Sequence, residues 1–168
     1  MIYAFLANGF EETEAIVPID LIRRCEKDLV TVGVGGQIIK GSHGIPVFAD
    51  IEEREIVLDE NLEMIILPGG MPGTINLEKP EYVQKAVDFC VENNIPIASI
   101  CAAPSILGHK GLLDGKKACC YTGYDTQLGE AIYDADAKVC VDGNFITARG
   151  AGVALEFGLA LVEKLISK

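Results

Sequence analysis

Positive charge is scarce in this 168-residue chain: 14 Lys and Arg stand against 25 Asp and Glu, for a formal charge of −11. Such a surface repels phosphate backbones and anionic lipid headgroups, so neither nucleic acid nor a membrane is expected as a partner. Long apolar runs are missing too. Stretches such as Met64-Ile65-Ile66-Leu67 fall far short of the roughly 20 residues that a membrane-spanning helix needs. The first ten residues carry no basic segment and lead straight into Glu11-Glu12, so no secretory signal is expected and the cytoplasm is the expected compartment. No Cys-x-x-Cys pair with zinc-ligand spacing occurs, and there are only two histidines. The six cysteines, Cys25, Cys90, Cys101, Cys119, Cys120 and Cys140, are therefore expected as free thiols rather than as bridges or zinc ligands.

What is present is enough for one core. With 49% hydrophobic and 23% charged residues, a chain of this size is expected to fold as a single domain over residues 1–168 and to keep roughly 8,000 Å² of surface accessible. Short β-rich runs alternate with helical patterns, the signature of an α/β fold whose mostly parallel sheet is covered on both faces. Ile2 to Ala7 is uniformly apolar, as a strand buried on both sides must be. Between Glu11 and Glu26, Ala15, Ile16, Ile19, Ile22 and Cys25 follow helical spacing, with acids at the start and Arg23-Arg24 at the end. Leu29–Val34, Leu62–Leu67 and Ile95–Ile100 read as further strands, residues 37–49 as a hairpin, and residues 80–91 as a helix. Ala118–Tyr121, Ala131–Tyr133, Lys138–Val141 and Asn144–Ala148 read as later strands, the last two joined at Asp142-Gly143, before a closing helix over Gly152–Ile166.

One cysteine stands apart. Cys101 follows the Ile95–Ile100 strand with no polar turn before Ala102-Ala103-Pro104, which places it at a strand's carboxyl end and at the start of a helix, as in a nucleophile elbow. A helix N-terminus stabilises a thiolate, so a lowered thiol pKa is expected there. The other five cysteines read as packing residues: Cys25 and Cys90 on apolar helix faces, Cys119, Cys120 and Cys140 within strands. Glu11, Glu12 and Glu14 lie at the same sheet edge as Cys101. Glu11 and Glu12 read as a solvated helix start. An acid turned toward the thiol would be held protonated by burial and by the thiolate, but spacing alone does not choose among the three. The turn Leu67-Pro68-Gly69-Gly70-Met71-Pro72-Gly73 offers backbone N–H groups for an oxyanion and matches no nucleotide-binding pattern. His109 lies about 12 Å along a helix from Cys101 and His43 sits in a Gly-rich loop, so no Cys-His dyad is expected.

Four segments in order carry a wider likeness: Ala7-Asn8-Gly9-Phe10-Glu11-Glu12-Thr13-Glu14, Leu67-Pro68-Gly69-Gly70, Ala98-Ser99-Ile100-Cys101-Ala102-Ala103-Pro104, and Thr147-Ala148-Arg149-Gly150-Ala151-Gly152. Together they resemble the DJ-1/ThiJ/PfpI family over essentially the whole chain. The resemblance implies a flavodoxin-like three-layer sandwich, a homodimer, and no cofactor or metal. It assigns the nucleophilic or oxidisable role to Cys101, makes Glu14 the protonated carboxyl bonded to its sulfur, and has Gly69, Gly70 and Ala102 supply backbone N–H groups. It implies glyoxalase or deglycase activity on small α-oxoaldehydes or their adducts. Alternatives are a redox-sensing or chaperone-like role in oxidative stress through the same cysteine and, more weakly, a cysteine hydrolase or amidase. The chain departs from the pattern at Ala102, where protease-like members have His, and at Tyr121, where many relatives have His. It also has Gly150-Ala151-Gly152 in place of Gly-Pro-Gly.

Overall fold

A computed structural model describes residues 1–167. The chain runs β1 (Ile2–Ala7), α1 (Glu12–Arg24), β2 (Leu29–Val34), β3 (Ile38–Lys40), β4 (Pro46–Phe48), β5 (Ile51–Glu52), β6 (Met64–Leu67), α2 (Gly73–Glu78), α3 (Glu81–Glu92) and β7 (Ile97–Ile100). It continues through α4 (Pro104–His109), β8 (Lys117–Ala118), β9 (Ile132–Tyr133), β10 (Val139–Asp142), β11 (Phe145–Ala148) and α5 (Ala154–Ile166). Seven strands form the main sheet in the order β10-β11-β7-β6-β1-β2-β5. All its pairings are parallel except the β10–β11 hairpin at the edge.

Period-two burial explains the layers. In β1, Tyr3, Phe5 and Ala7 join Ile65, Leu67, Val83, Val87 and Ile106 in one core, roofed by α3 and α4. Ile2, Ala4 and Leu6 point the other way, into Met64, Ile66, Ile19, Phe157 and Leu161 beneath α1 and α5. The result is the flavodoxin-like α/β sandwich that the segment pattern implied, with 7567 Å² of accessible surface. Because β1, β6, β7 and β11 run in the same direction, the loops after them meet at one edge. The connections leave β1 toward β2 on one side and reach β6 on the other, which is where open α/β sheets bind ligands.

Several local expectations are corrected. α1 ends at Arg24, so Cys25 is the helix C-cap and is exposed rather than packed. The run expected as a strand over 118–121 holds only two ladder residues, Lys117–Ala118. Beyond them the Cys119 N–H donates to the Thr147 hydroxyl (3.0 Å) instead of to a strand. Cys119 and Cys120 nevertheless lie buried. A short helix, α2, follows the 67–73 turn in a stretch for which no element was expected, and Ile51–Glu52 adds an edge strand too short to show a pattern.

Candidate active site

Cys101 sits in the turn between β7 and α4 with φ of +64°. That left-handed conformation is unfavourable for a side chain bearing a Cβ, by about 1–3 kcal/mol, and is held by the surrounding structure. Here the Cys101 N–H donates to the Ala148 carbonyl (2.9 Å) and the Cys101 carbonyl accepts from the Tyr121 N–H (2.8 Å). Small neighbours permit the bend: Ala102 and Ala103 are both buried, and the Ala103 N–H closes the turn on the Ile100 carbonyl. α4 starts only at Pro104 and has six residues. The thiol is thus three residues before the helix rather than at its first turn.

Glu14, in the first turn of α1, is 1% exposed. Its carboxyl group hydrogen-bonds the Cys101 thiol and accepts from the Ala151 N–H; Oε2 also accepts from the Gly69 N–H at 2.9 Å. Gly69 is required at this approach. A Cβ there would lie 2.6 Å from both the Cys101 Cβ and Glu14 Oε2, and 2.7 Å from the Ile100 carbonyl oxygen. The sulfur in turn accepts from the N–H groups of Ala102 and Gly70. The three backbone donors inferred from the resemblance therefore divide: Gly70 and Ala102 serve the sulfur, whereas Gly69 serves the carboxylate.

Burial pushes the Glu14 carboxyl up to about 7, and the Glu11 charge adds to it; the Cys101 thiol and the Gly69 and Ala151 amides act in the opposite direction. Burial also pushes the Cys101 thiol above its ordinary value, with the Glu14 charge and hydrogen bond reinforcing it against the Ala102 and Gly70 amides. The lowered thiol expected from a helix start is thus corrected: the helix begins too late, and an acid stands beside the sulfur. Physically the two groups share their protons. Above about pH 7 the pair carries one negative charge, either as carboxylate with thiol or as carboxylic acid with thiolate. Two amides facing the sulfur favour the second arrangement, while the Gly69 and Ala151 amides favour the first.

The remaining acids are placed differently. Glu11 is the N-cap of α1, its Oε2 accepting from the Glu14 N–H (2.8 Å). Glu12 is not solvated as expected but lies under the β3–β4 hairpin, 7% exposed. It accepts from the N–H groups of His43 (2.8 Å) and Ile45 (3.3 Å), and meets the His43 ring at 3.0 Å. Burial alone would raise its pKa, but these donors hold it below the ordinary value. Glu11, Glu12 and His43 bring metal-ligand atoms within 4.8 Å of one another, although both carboxylates already accept protein N–H groups. His109 is remote from Cys101 in its bonding, paired with Glu78 and Gln127.

A cleft of about 470 Å³ opens beside the pair, lined by Tyr121, Thr122, Lys138, Arg149 and residues 150–153. Cys101 is not among its lining residues, but the residues that hold the pair are: Tyr121 bonds the Cys101 carbonyl and Ala151 bonds Glu14. Tyr121 is 53% exposed. Arg149 was legible only as part of the Gly-rich segment before the last helix. Nothing in its spacing distinguished it.

Three comparisons with known proteins fit this geometry. The sequence profile of the DJ-1/PfpI family matches residues 1–164. Protein DJ-1 homolog B of Arabidopsis thaliana is 36% identical over 165 residues, 97% of this chain but 37% of that protein, so the chain spans well under half of the plant relative's length. Deglycase PfpI of Pyrococcus furiosus is 32% identical over 148 residues, 87% of this chain and 87% of that protein. Among solved structures, Drosophila melanogaster DJ-1beta superposes with a TM-score of 0.93 at 32% identity, over 99% of this chain and 90% of that one. Among the described residues, no helix is long and apolar enough to cross a membrane.

Proposed function

The chain belongs to the DJ-1/PfpI family, and from that premise we propose that it is a cysteine-dependent enzyme converting small α-oxoaldehydes, free or as adducts, into 2-hydroxy acids. One observation carries the reading. A carboxyl group with a pKa of about 7 is hydrogen-bonded to a thiol held in a strained elbow, and a group that must both take and return a proton works best with a pKa near the working pH. The relative named as a deglycase, matched over most of its length, supports the same chemistry.

The steps balance without a further redox partner. The Cys101 sulfur adds to the aldehyde carbon of R–CO–CHO and the aldehyde oxygen takes a proton, giving a thiohemiacetal. The Glu14 carboxylate then removes the proton on that carbon and returns it to the neighbouring ketone carbon, while the hydroxyl proton of the thiohemiacetal passes to the ketone oxygen. The first carbon is thereby oxidised to a thioester and the second reduced to an alcohol. Water cleaves the thioester, releasing the 2-hydroxy acid and the thiol. With an adduct, the amine or thiol that held the aldehyde leaves at the first stage. Amides of Gly70 and Ala102 stabilise negative charge at the sulfur before attack.

The test is lactate formation from methylglyoxal by the wild-type protein and by Cys101→Ser. Turnover is expected in the wild type and only background in the variant; equal rates would sink the proposal. A second reading, a thiol that reports oxidation, rests on access combined with fixed donors: Cys90, Cys119, Cys120 and Cys140 are buried and the exposed Cys25 caps α1, whereas the partly open Cys101 has the Ala102 and Gly70 amides at its sulfur. A two-oxygen mass gain confined to Cys101 after mild peroxide, without turnover of methylglyoxal, favours that reading.

A further inference from the structure

The cleft beside the Cys101–Glu14 pair has a charge opposite to that of the protein. The chain carries −11, yet the lining of this cavity contains two cations, Lys138 and Arg149, and no acid. Lys138 lies at the exposed rim, 3.7 Å from Glu156. Arg149 is different. Partly buried, it makes, among the described residues, neither a side-chain hydrogen bond nor an ion pair, although Arg23, Arg24 and Lys27 each pair with an acid. Its backbone is fixed: its N–H donates to the Lys138 carbonyl (3.1 Å), and it directly follows Ala148, whose carbonyl accepts from the Cys101 N–H. Ala151, two residues on, donates to Glu14. One short segment thus holds the nucleophile and the proton-transfer acid through its backbone and carries an unpartnered guanidinium in the adjoining cleft.

A planar guanidinium left without a counter-ion in a cleft offers a bidentate seat for a carboxylate. We propose that the α-oxoaldehydes taken by this site carry a carboxylate on the end remote from the aldehyde, with Arg149 seating it and Lys138 adding positive potential at the rim. This rests on the enzymatic reading above and names its substrate class. A monoanion fits better than a dianion, because Glu11 and Glu14 lie behind the same edge and one guanidinium presents one fork. The cavity, at about 470 Å³, has room for a chain of several carbons beyond the reacting pair.

The experiment pairs two aldehydes of equal length: 4,5-dioxopentanoate, which ends in a carboxylate, and 2-oxopentanal, which ends in a methyl group. The wild type is expected to favour the first by about tenfold or more in kcat/KM. In Arg149→Gln that preference collapses through KM, and Arg149→Lys restores part of it. A readout independent of turnover is alkylation of Cys101 by iodoacetate against iodoacetamide, followed by mass. The ratio of the two rates is expected to fall several-fold from wild type to Arg149→Gln, whatever the intrinsic thiol reactivity. If both aldehydes are turned over with no preference, and the alkylation ratio is unchanged by the substitution, the carboxylate seat is overturned while the enzymatic reading stands. If neither aldehyde is turned over, the enzymatic reading falls, and an unchanged alkylation ratio removes the anion seat with it.

Discussion

Glu12 and Glu14 stand two residues apart at the start of one helix, both nearly inaccessible, and their acidities move in opposite directions. Glu12 is covered by the β3–β4 hairpin, whose loop supplies the His43 and Ile45 amides and the His43 ring. Gly41 lets that loop close, since a Cβ there would lie 2.2 Å from Glu12 Oε1. Glu14 lies beneath the sheet edge, where its neighbours include a thiol that competes for the proton and the Glu11 charge. Burial raises both carboxyls, far more for Glu14 deep behind the sheet edge than for Glu12 under the hairpin, and depth together with the supply of fixed donors decides which one stays ionised. The hairpin side holds a structural anion. The elbow side holds a carboxyl able to change its protonation near neutral pH, which is what the proposed chemistry needs.

The largest way to break this contrast is to remove each acid in turn and measure turnover. Glu14→Gln keeps the shape and the Gly69 hydrogen bond but cannot carry a proton, so kcat is expected to fall about 100-fold or more. Glu12→Gln should leave kcat within about threefold of wild type, because its carboxylate faces the hairpin rather than the thiol. Equal losses in the two variants would mean that the helix start acts as one electrostatic unit and that Glu14 has no separate role.

Stability against pH sharpens the contrast next. Glu14 is raised in the folded state from 4.5 to about 7, so between those values the native state binds more protons than the unfolded chain, and stability falls as pH rises through that window. The loss amounts to about 3 kcal/mol by pH 8. Glu12 is lowered, so its contribution has the other sign: it is present at neutral pH and is lost as pH falls below about 4.5. Urea titrations from pH 4 to 8 should show the decline toward pH 7 in the wild type and not in Glu14→Gln, which is expected to be the more stable of the two at pH 8. A wild-type curve flat from pH 5 to 8 would mean that Glu14 is ionised throughout.

How much of this was legible follows from the range of the forces involved. β1 could be read because every residue of Ile2–Ala7 is buried, a property that one strand carries by itself. The elbow could be read because Ile100-Cys101-Ala102-Ala103-Pro104 leaves no room for any other turn. The choice between Glu12 and Glu14 could not be made from spacing, since it depends on which face of α1 meets the hairpin and which meets Gly69, 55 positions away. Only the likeness to a known family selected Glu14. The sign of the Cys101 shift is not legible in the sequence, because a helix starting at the cysteine would lower the thiol whereas three residues of turn and a buried neighbouring acid raise it. Cys119 and Cys120 were placed in a strand because apolar runs look alike whether their N–H groups meet a ladder or a single threonine hydroxyl.

The smallest expected effect tests what holds Glu12 in place. His43 is 70% exposed at its side chain, so its ring contact with Glu12 is screened by solvent, and His43→Ala should lower stability by less than about 1 kcal/mol at pH 7. That substitution keeps the residue-43 N–H, and with it both amide donors to Glu12 Oε1. Glu12→Ala instead strands those two N–H groups beneath the hairpin and is expected to be destabilising by about 1–3 kcal/mol. Urea midpoints of the two variants, compared at one pH, separate the contributions. If His43→Ala proved as damaging as Glu12→Ala, the ring rather than the backbone would be anchoring the carboxylate. The hairpin side would then be a pairing of side chains that a change at one exposed loop residue could dissolve, and it could no longer serve as the fixed counterpart to the titrating pair at the elbow.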